Sequence, residues 1–499
     1  MVNFFKKYHK WLSIILTVFI ILFSVSGIIL NHRELFSGVD VNRDFLPSDY
    51  SYNNWNNAGV AGTTKIGLDS ILIYGNIGIW LTDSLALNFT DFNNGFPDGI
   101  DNRKISKIHN SEIHGLYAGT HFGLFKYLEP ENRWQKIELP IHNQRIVDIG
   151  QNLDTLLVMS RSYLMTSVDG LNFTKVTIPT PEDYDNKAGL FKTLWVIHSG
   201  ELYGLPGILL VDFIGLIFIF LTVTGLIYWI IPMSSRRRKK KNKSTERNVK
   251  VRRFSLKWHN KIGWITLILL IITTATGMFL RPPLLAAIAY TKVDKIPYTE
   301  LDSPNPWFDK LRRLMYFEDQ NIYLVATLDG IYYSNDNFKS ELRRVYGQPP
   351  VSVMGVTAFE KVNENTILIG SFEGLFLWNL RSGYAMDYIT KGPIKPKDPS
   401  GPPLGDFLVT GYSNDFYGKE IFFDFNHGGI NMLNGLAFRE MPEEISSQPM
   451  SIWNVALEVH TARMYKFMFG NFYILFIPLA GFLILFILIS GFIVWWKRH

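Results

Sequence analysis

Four histidines stand at places where this sequence repeats itself. His9 and His259 each precede a glycine, Gly27 and Gly277, by 18 residues. His198 and His460 each precede a tyrosine, Tyr203 and Tyr465, by five residues. Further on, Gly215-x9-Gly225 recurs as Gly481-x9-Gly491, and each copy runs on into apolar residues and Trp. The distance from His198 to Gly215 is 17 residues and that from His460 to Gly481 is 21. The difference is about one helical turn, so the histidine is expected to keep its face while moving up the axis. A neutral imidazole keeps one ring nitrogen free for a metal, and low-spin haem iron takes two such ligands on opposite sides of the ring. Two helices that each offer a histidine at equal depth could clamp a flat macrocycle. The plainer reading is that each is an interfacial residue touching water or headgroups, matched only because a segment was duplicated. The residues alone leave both open.

The elements that would carry these histidines are apolar runs of bilayer length, which is roughly 20 residues. They are Trp11–Leu30, Ile208–Ile231, Ile262–Leu280 and Phe472–Trp496. The first run could be a cleaved signal peptide, with Lys6, Lys7 and Lys10 before it, but it exceeds a signal core and is nearly copied at Ile262. Basic residues mark the cytoplasmic side. Ser234–Arg253 holds eleven Lys or Arg against one acid, Glu246, and the chain ends in Lys497, Arg498 and His499. Both ends are therefore expected inside, with 33–196 and 281–456 outside. The segments are 1–32, 197–233, 254–280 and 457–499 for the spans and 234–253 for the basic loop. His9 and His259 then fall at the cytoplasmic entry, and His198 and His460 at the outer one. The net charge of +6 reports topology and an anchor to anionic lipid, not nucleic acid. With no cysteine, disulfides and thiolate sites are excluded and the outer segments must hold by packing alone.

Outside the spans, six stretches alternate apolar and polar residues around a short turn. They begin near Ile71, Leu116, Leu156, Ile322, Ile367 and Ile421, mostly 40–55 residues apart except across the membrane insertion. A period of about 40–50 residues with several strands per unit marks propeller blades. The expected fold class is membrane α plus all-β. It combines a four-helix transmembrane bundle, made of a duplicated two-helix unit, with an extracytoplasmic β-propeller-like domain built from two half-chains. Two separate small β domains are the alternative.

Other candidates are weaker. Asp212 is an acid inside a span, where charges are functional candidates by default, though an ion pair would explain it equally well. His32 has no histidine counterpart at Arg281-Pro282 and reads as a headgroup-level residue or an alternative ligand. His109, His114, His121, His142 and His427 lack metal-site spacing. Lys10, Lys257 and Arg253 near one histidine pair, and Arg463 and Lys466 near the other, could neutralise haem propionates.

The pattern Tyr8-His9-Lys10-Trp11 with Ser26-Gly27, Ile197-His198-Ser199-Gly200 with Thr224-Gly225, Trp258-His259 with Thr276-Gly277, and His460 with Ser490-Gly491 resembles the PepSY-associated transmembrane family. That family includes haem-containing siderophore-iron reductases of bacterial inner membranes. The resemblance covers the spans, while the propeller-like units depart from the family's usual outer domains. It implies two b-type haems, on His9 and His259 and on His198 and His460. It also implies transmembrane electron transfer to a ferric siderophore or other ferric chelate. No Gly-x-Gly-x-x-Gly follows a cytoplasmic strand, so quinol or a cytoplasmic flavoprotein is the expected donor. The competing class is a non-enzymatic receptor or assembly factor whose propeller binds a protein partner.

Overall fold

A computed structural model describes residues 2–352, 354–395 and 404–497. The chain separates into a helical unit (1–36, 186–303 and 452–499) and a β unit (37–185 and 304–451). The helical unit takes more of the connecting chain than the sequence suggests. Lys187–Gly189 pairs with Lys292–Asp294 as a two-stranded ribbon, which ties both segments to the helices.

The helices are, in chain order, α1 (Val2–Asn31), α2 (Leu190–Ser199), α3 (Gly204–Lys240), α4 (Glu246–Ile265), α5 (Leu267–Phe279) and α6 (Leu284–Ile288). After them come α7 (Glu443–Ser446, in the β unit), α8 (Ile452–His460), α9 (Lys466–Phe469) and α10 (Tyr473–Trp496). Among the described residues, three helical stretches, Val2–Asn31, Glu201–Lys240 and Arg463–Trp496, are long and apolar enough to cross a membrane. The third of the expected runs, Ile262–Leu280, straddles a break. There α4 and α5 meet at Thr266 with a bend of 67°. Helix α1 packs against α3 and α10, α3 against α4, and α5 against α10.

The duplication is visible in the backbone. Gly200 and Ala462, each two residues past its histidine, are both left-handed, at φ 85° and φ 61°. Gly204 (φ 58°, ψ −144°) and Gly470 (φ 54°, ψ −141°) adopt the same unusual conformation at the entries to α3 and α10. The extra four residues of the second copy are therefore α9, a separate turn between Tyr465 and Gly470. The expectation of one more turn along a continuous axis is corrected: the insertion lies before Gly470 and leaves the interval from Gly470 to Gly481 equal to that from Gly204 to Gly215.

In the β unit, antiparallel sheets occupy 62–91, 105–137, 146–176, 311–344, 358–393 and 409–431, and the last joins the first where Gly62 lies opposite Tyr412 in a parallel pairing. The first strands of successive groups touch in turn, from 62–67 through 409–413 and back. Each second strand is buried on both faces, and its side chains alternate between neighbours. Ile71 and Ile73 pack on Ile421 and Phe423, whereas Leu72 and Tyr74 pack on Ile108 and Leu116. Leu157 and Met159 pack on Leu314 and Val325, and Leu156 and Val158 on Tyr117 and Leu124.

Candidate functional site

The geometry of the helical unit brings His9 together with His259, and His198 with His460. The ring centroids lie 6.2 Å apart at an interplanar angle of 89° in the first pair, and 5.9 Å apart at 51° in the second. Two imidazoles that ligate one ion from opposite sides through bonds of about 2 Å set their centroids roughly 6 Å apart.

Each ring is seated in the same way. Nδ1 of His9 lies 2.9 Å from the Ile487 carbonyl and 3.3 Å from Ser490 Oγ. For His259 the partners are Leu221 O at 3.0 Å and Thr224 Oγ1 at 3.1 Å. For His198 they are Thr273 O at 2.9 Å and Thr276 Oγ1 at 3.4 Å. For His460 they are Phe23 O at 3.0 Å and Ser26 Oγ at 3.0 Å. In all four the hydroxyl stands three residues after the carbonyl and a glycine follows it. A carbonyl can only accept, so Nδ1 carries the proton and Nε2 keeps its lone pair, as a metal ligand requires. The glycines are there because the ring edge occupies the space of a side chain. A Cβ would stand 2.6 Å from His198 Cε1 at Gly277, 2.9 Å from His9 Cε1 at Gly491, and 3.3 Å from the facing Cε1 at Gly27 and Gly225.

The seats and the pairs run differently. His9 on α1 is seated on α10, and His460 at the end of α8 is seated on α1. His198 at the end of α2 is seated on α5, and His259 of α4 on α3. Each facing pair therefore joins the α1/α8/α10 group to the α2–α5 group.

Around His460, Arg463 is bonded to Glu458, yet its Nε and the Tyr465 hydroxyl are buried with no partner. Two orphaned donors on the turn that follows His460 suit an anionic group such as a propionate. Lys10, Lys257, Arg253 and Lys466 have exposed side chains. His32 and Asp212 find each other: Nε2 lies 2.6 Å from Oδ2, while Asn31 donates to Oδ1 at 2.8 Å. Asp212 is thus hydrogen-bonded to both His32 and Asn31. The other histidines stay apart, His109 on Gln151, His114 on the Asp154 carbonyl and His427 on Asp424. Among the described residues, no group of three or more His, Cys, Asp or Glu could hold a metal ion.

The β unit has a cavity of about 230 Å³ lined by Tyr74, Lys107, Asp148, Arg313 and Glu360 among others. Lys107 lies 3.4 Å from Glu360, whose charge raises the ammonium's pKa. Burial pushes the Asp148 carboxyl up, against the opposing pull of Arg313 and Lys107.

What the sequence left unassigned is the seat. The Ser/Thr-Gly pairs were visible, but His460, which is seated on Ser26, lies 434 residues from it in the chain.

Long apolar helices and histidines repeated in two halves define a membrane protein with a duplicated helical core. The chain belongs to the PepSY-associated TM region family, whose model matches residues 2–231 and again 231–498. No curated protein matches the sequence. Among solved structures, the extracellular domain of a hybrid two component system from B. thetaiotaomicron is similar at a TM-score of 0.36 and 9% identity. That match covers 79% of this chain, which spans only 34% of the other. A computationally designed protein matches at a TM-score of 0.32 and 10% identity, covering 78% of this chain and 89% of its own. Likenesses this weak carry no argument about fold or function.

Proposed function

We propose that the protein moves electrons across the bacterial cytoplasmic membrane to a ferric siderophore or other ferric chelate outside it, using two b-type haems. The observation that carries this reading is the facing of two imidazole pairs, at 6.2 Å and 5.9 Å, with every Nδ1 committed to a helix carbonyl. His9 and His259 would hold the inner haem, and His198 and His460 the outer one. Bound there, haem supplies one-electron transfer at low-spin iron. The chain's own part is to keep Nε2 unprotonated and to offer the orphaned Arg463 Nε and Tyr465 hydroxyl to an anionic edge.

In this reading α4 and α5 together form the third span of a four-helix bundle, and the basic loop at 234–253 faces the cytoplasm. The ring of first strands becomes a six-bladed propeller on the outer side. Its polar cavity is where a small anionic acceptor would meet Lys107 and Arg313. Quinol or a cytoplasmic flavoprotein is the donor.

The test is the absorbance spectrum of the detergent-extracted full chain made with ample haem supply. Two low-spin b-type components are expected. His9→Ala or His259→Ala should remove one, and His198→Ala or His460→Ala the other. His32→Ala should remove neither. A wild-type protein without a Soret band would return the chain to the reading of a membrane receptor or assembly factor.

A further inference from the structure

Building on the haem reading above, we infer that the hydroxyls of Ser26, Thr224, Thr276 and Ser490 are positioning residues that fix the tautomer and the donor strength of the four histidines. Each hydroxyl has its own proton already committed. Ser26 Oγ donates to Leu22 O at 2.6 Å, Thr224 Oγ1 to Phe220 O at 2.7 Å and Thr276 Oγ1 to Ile272 O at 2.8 Å. Ser490 Oγ donates to Ile487 O at 3.0 Å. What each oxygen presents to the facing Nδ1–H is therefore a lone pair.

Back-bonding to its own helix is common for Ser and Thr and by itself explains nothing more. Here, however, all four hydroxyls also stand opposite a histidine Nδ1, at 3.0–3.4 Å. They are 3%, 4%, 8% and 0% exposed, so water cannot take their place. An imidazole whose Nδ1–H is shared between a carbonyl and a hydroxyl gains imidazolate character and becomes a stronger donor through Nε2. A stronger donor favours the ferric state and lowers the potential of whatever iron the ring holds. Because Thr224 serves His259 and Ser26 serves His460, these two hydroxyls act on different haems.

The experiment is a potentiometric titration of the full chain carrying Thr224→Val or Ser26→Ala. Thr224→Val should raise the midpoint of the component that His259→Ala abolishes. The expected change is about two- to five-fold in the ferric-to-ferrous ratio at fixed poise, or about 20–40 mV at ~59 mV per tenfold for one electron. Ser26→Ala should do the same to the component that His460→Ala abolishes. Thr224→Ser and Ser26→Thr should restore the original potentials. Loss of a component that the hydroxyl-bearing variant restores supports the inference; loss that it fails to restore overturns it. Both haems bound with unchanged potentials, or both variants moving the same component, would also overturn it. A wild-type protein without haem sinks the underlying reading instead, and that is seen before any variant is made.

Discussion

At the residue scale, the four glycine seats are not equally tight, and the differences can be measured. The His198 ring is pinned through Nδ1 to the Thr273 carbonyl, so it cannot swing away from a methyl placed 2.6 Å from its Cε1 at Gly277. Gly491 is nearly as close, at 2.9 Å from His9 Cε1, whereas Gly27 and Gly225 leave 3.3 Å. Gly277→Ala and Gly491→Ala should therefore lower the thermal stability of the extracted protein by about 1–3 kcal/mol, the usual cost of overpacking. Gly27→Ala and Gly225→Ala should cost less, and equal melting points across the four would contradict the close fit. The His32–Asp212 contact carries a different consequence. Asp212→Asn keeps acceptor and donor atoms beside His32 and Asn31, whereas His32→Ala leaves a mostly buried carboxylate without one of its two partners. His32→Ala should be the more destabilising by about 1–3 kcal/mol, the cost of an unsatisfied buried polar group. Melting curves of the two variants decide it.

At the element scale, what could be read from the sequence depended on how each segment is buried. The second strands were expected to alternate apolar and polar residues, but neighbours cover both faces and leave near-continuous apolar runs such as Ile71–Tyr74 and Ile367–Ile369. The first strands were not legible: Gly62–Gly67 and Ile105–Ser111 mix Thr, Lys, Ser and His among their apolar residues and have no clear period. Histidine spacing was legible within each half because duplication preserves intervals. The seats were not, because a hydrogen bond between residues 478 positions apart, as between His9 and Ile487, leaves no local pattern. Composition also hid the bend at Thr266, since a run of apolar residues reads alike whether straight or broken. The bend gives the topology of α4 and α5 a direct test. If the pair crosses the membrane once, a reporter active only outside should work when fused at Asn186 and at Asn363 and fail at Lys241. If the pair instead turned back, Asn186 and Asn363 would report opposite sides.

At the scale of the whole molecule, the β unit is assembled from two distant stretches of chain, 37–185 and 304–451, and its contacts make each depend on the other. Two of the junctions between them are largely apolar. At one, Ile71, Ile73 and Trp80 pack against Ile421, Phe423 and Phe438, and the strands themselves meet where Gly62 faces Tyr412. At the other, Leu157, Met159 and Leu164 pack against Leu314, Tyr323 and Val325, with Trp307 donating its indole N–H to the Pro179 carbonyl at 2.8 Å. With no cysteine to staple either stretch, apolar contact is what holds these faces. Residues 37–185 expressed alone would expose both faces at once, together with an unpaired strand edge at Gly62. At roughly 25 cal/mol per Å² of apolar surface, uncovering several large side chains at each end outweighs the few kcal/mol by which a domain of that size is stable. The isolated stretch should therefore aggregate or melt without cooperativity. The same stretch joined through a flexible linker to 304–451 should give a soluble monomer with a single thermal transition. Calorimetry and sizing of the two proteins check this, and a cooperatively folding, monomeric 37–185 would mean that each half is a domain in its own right.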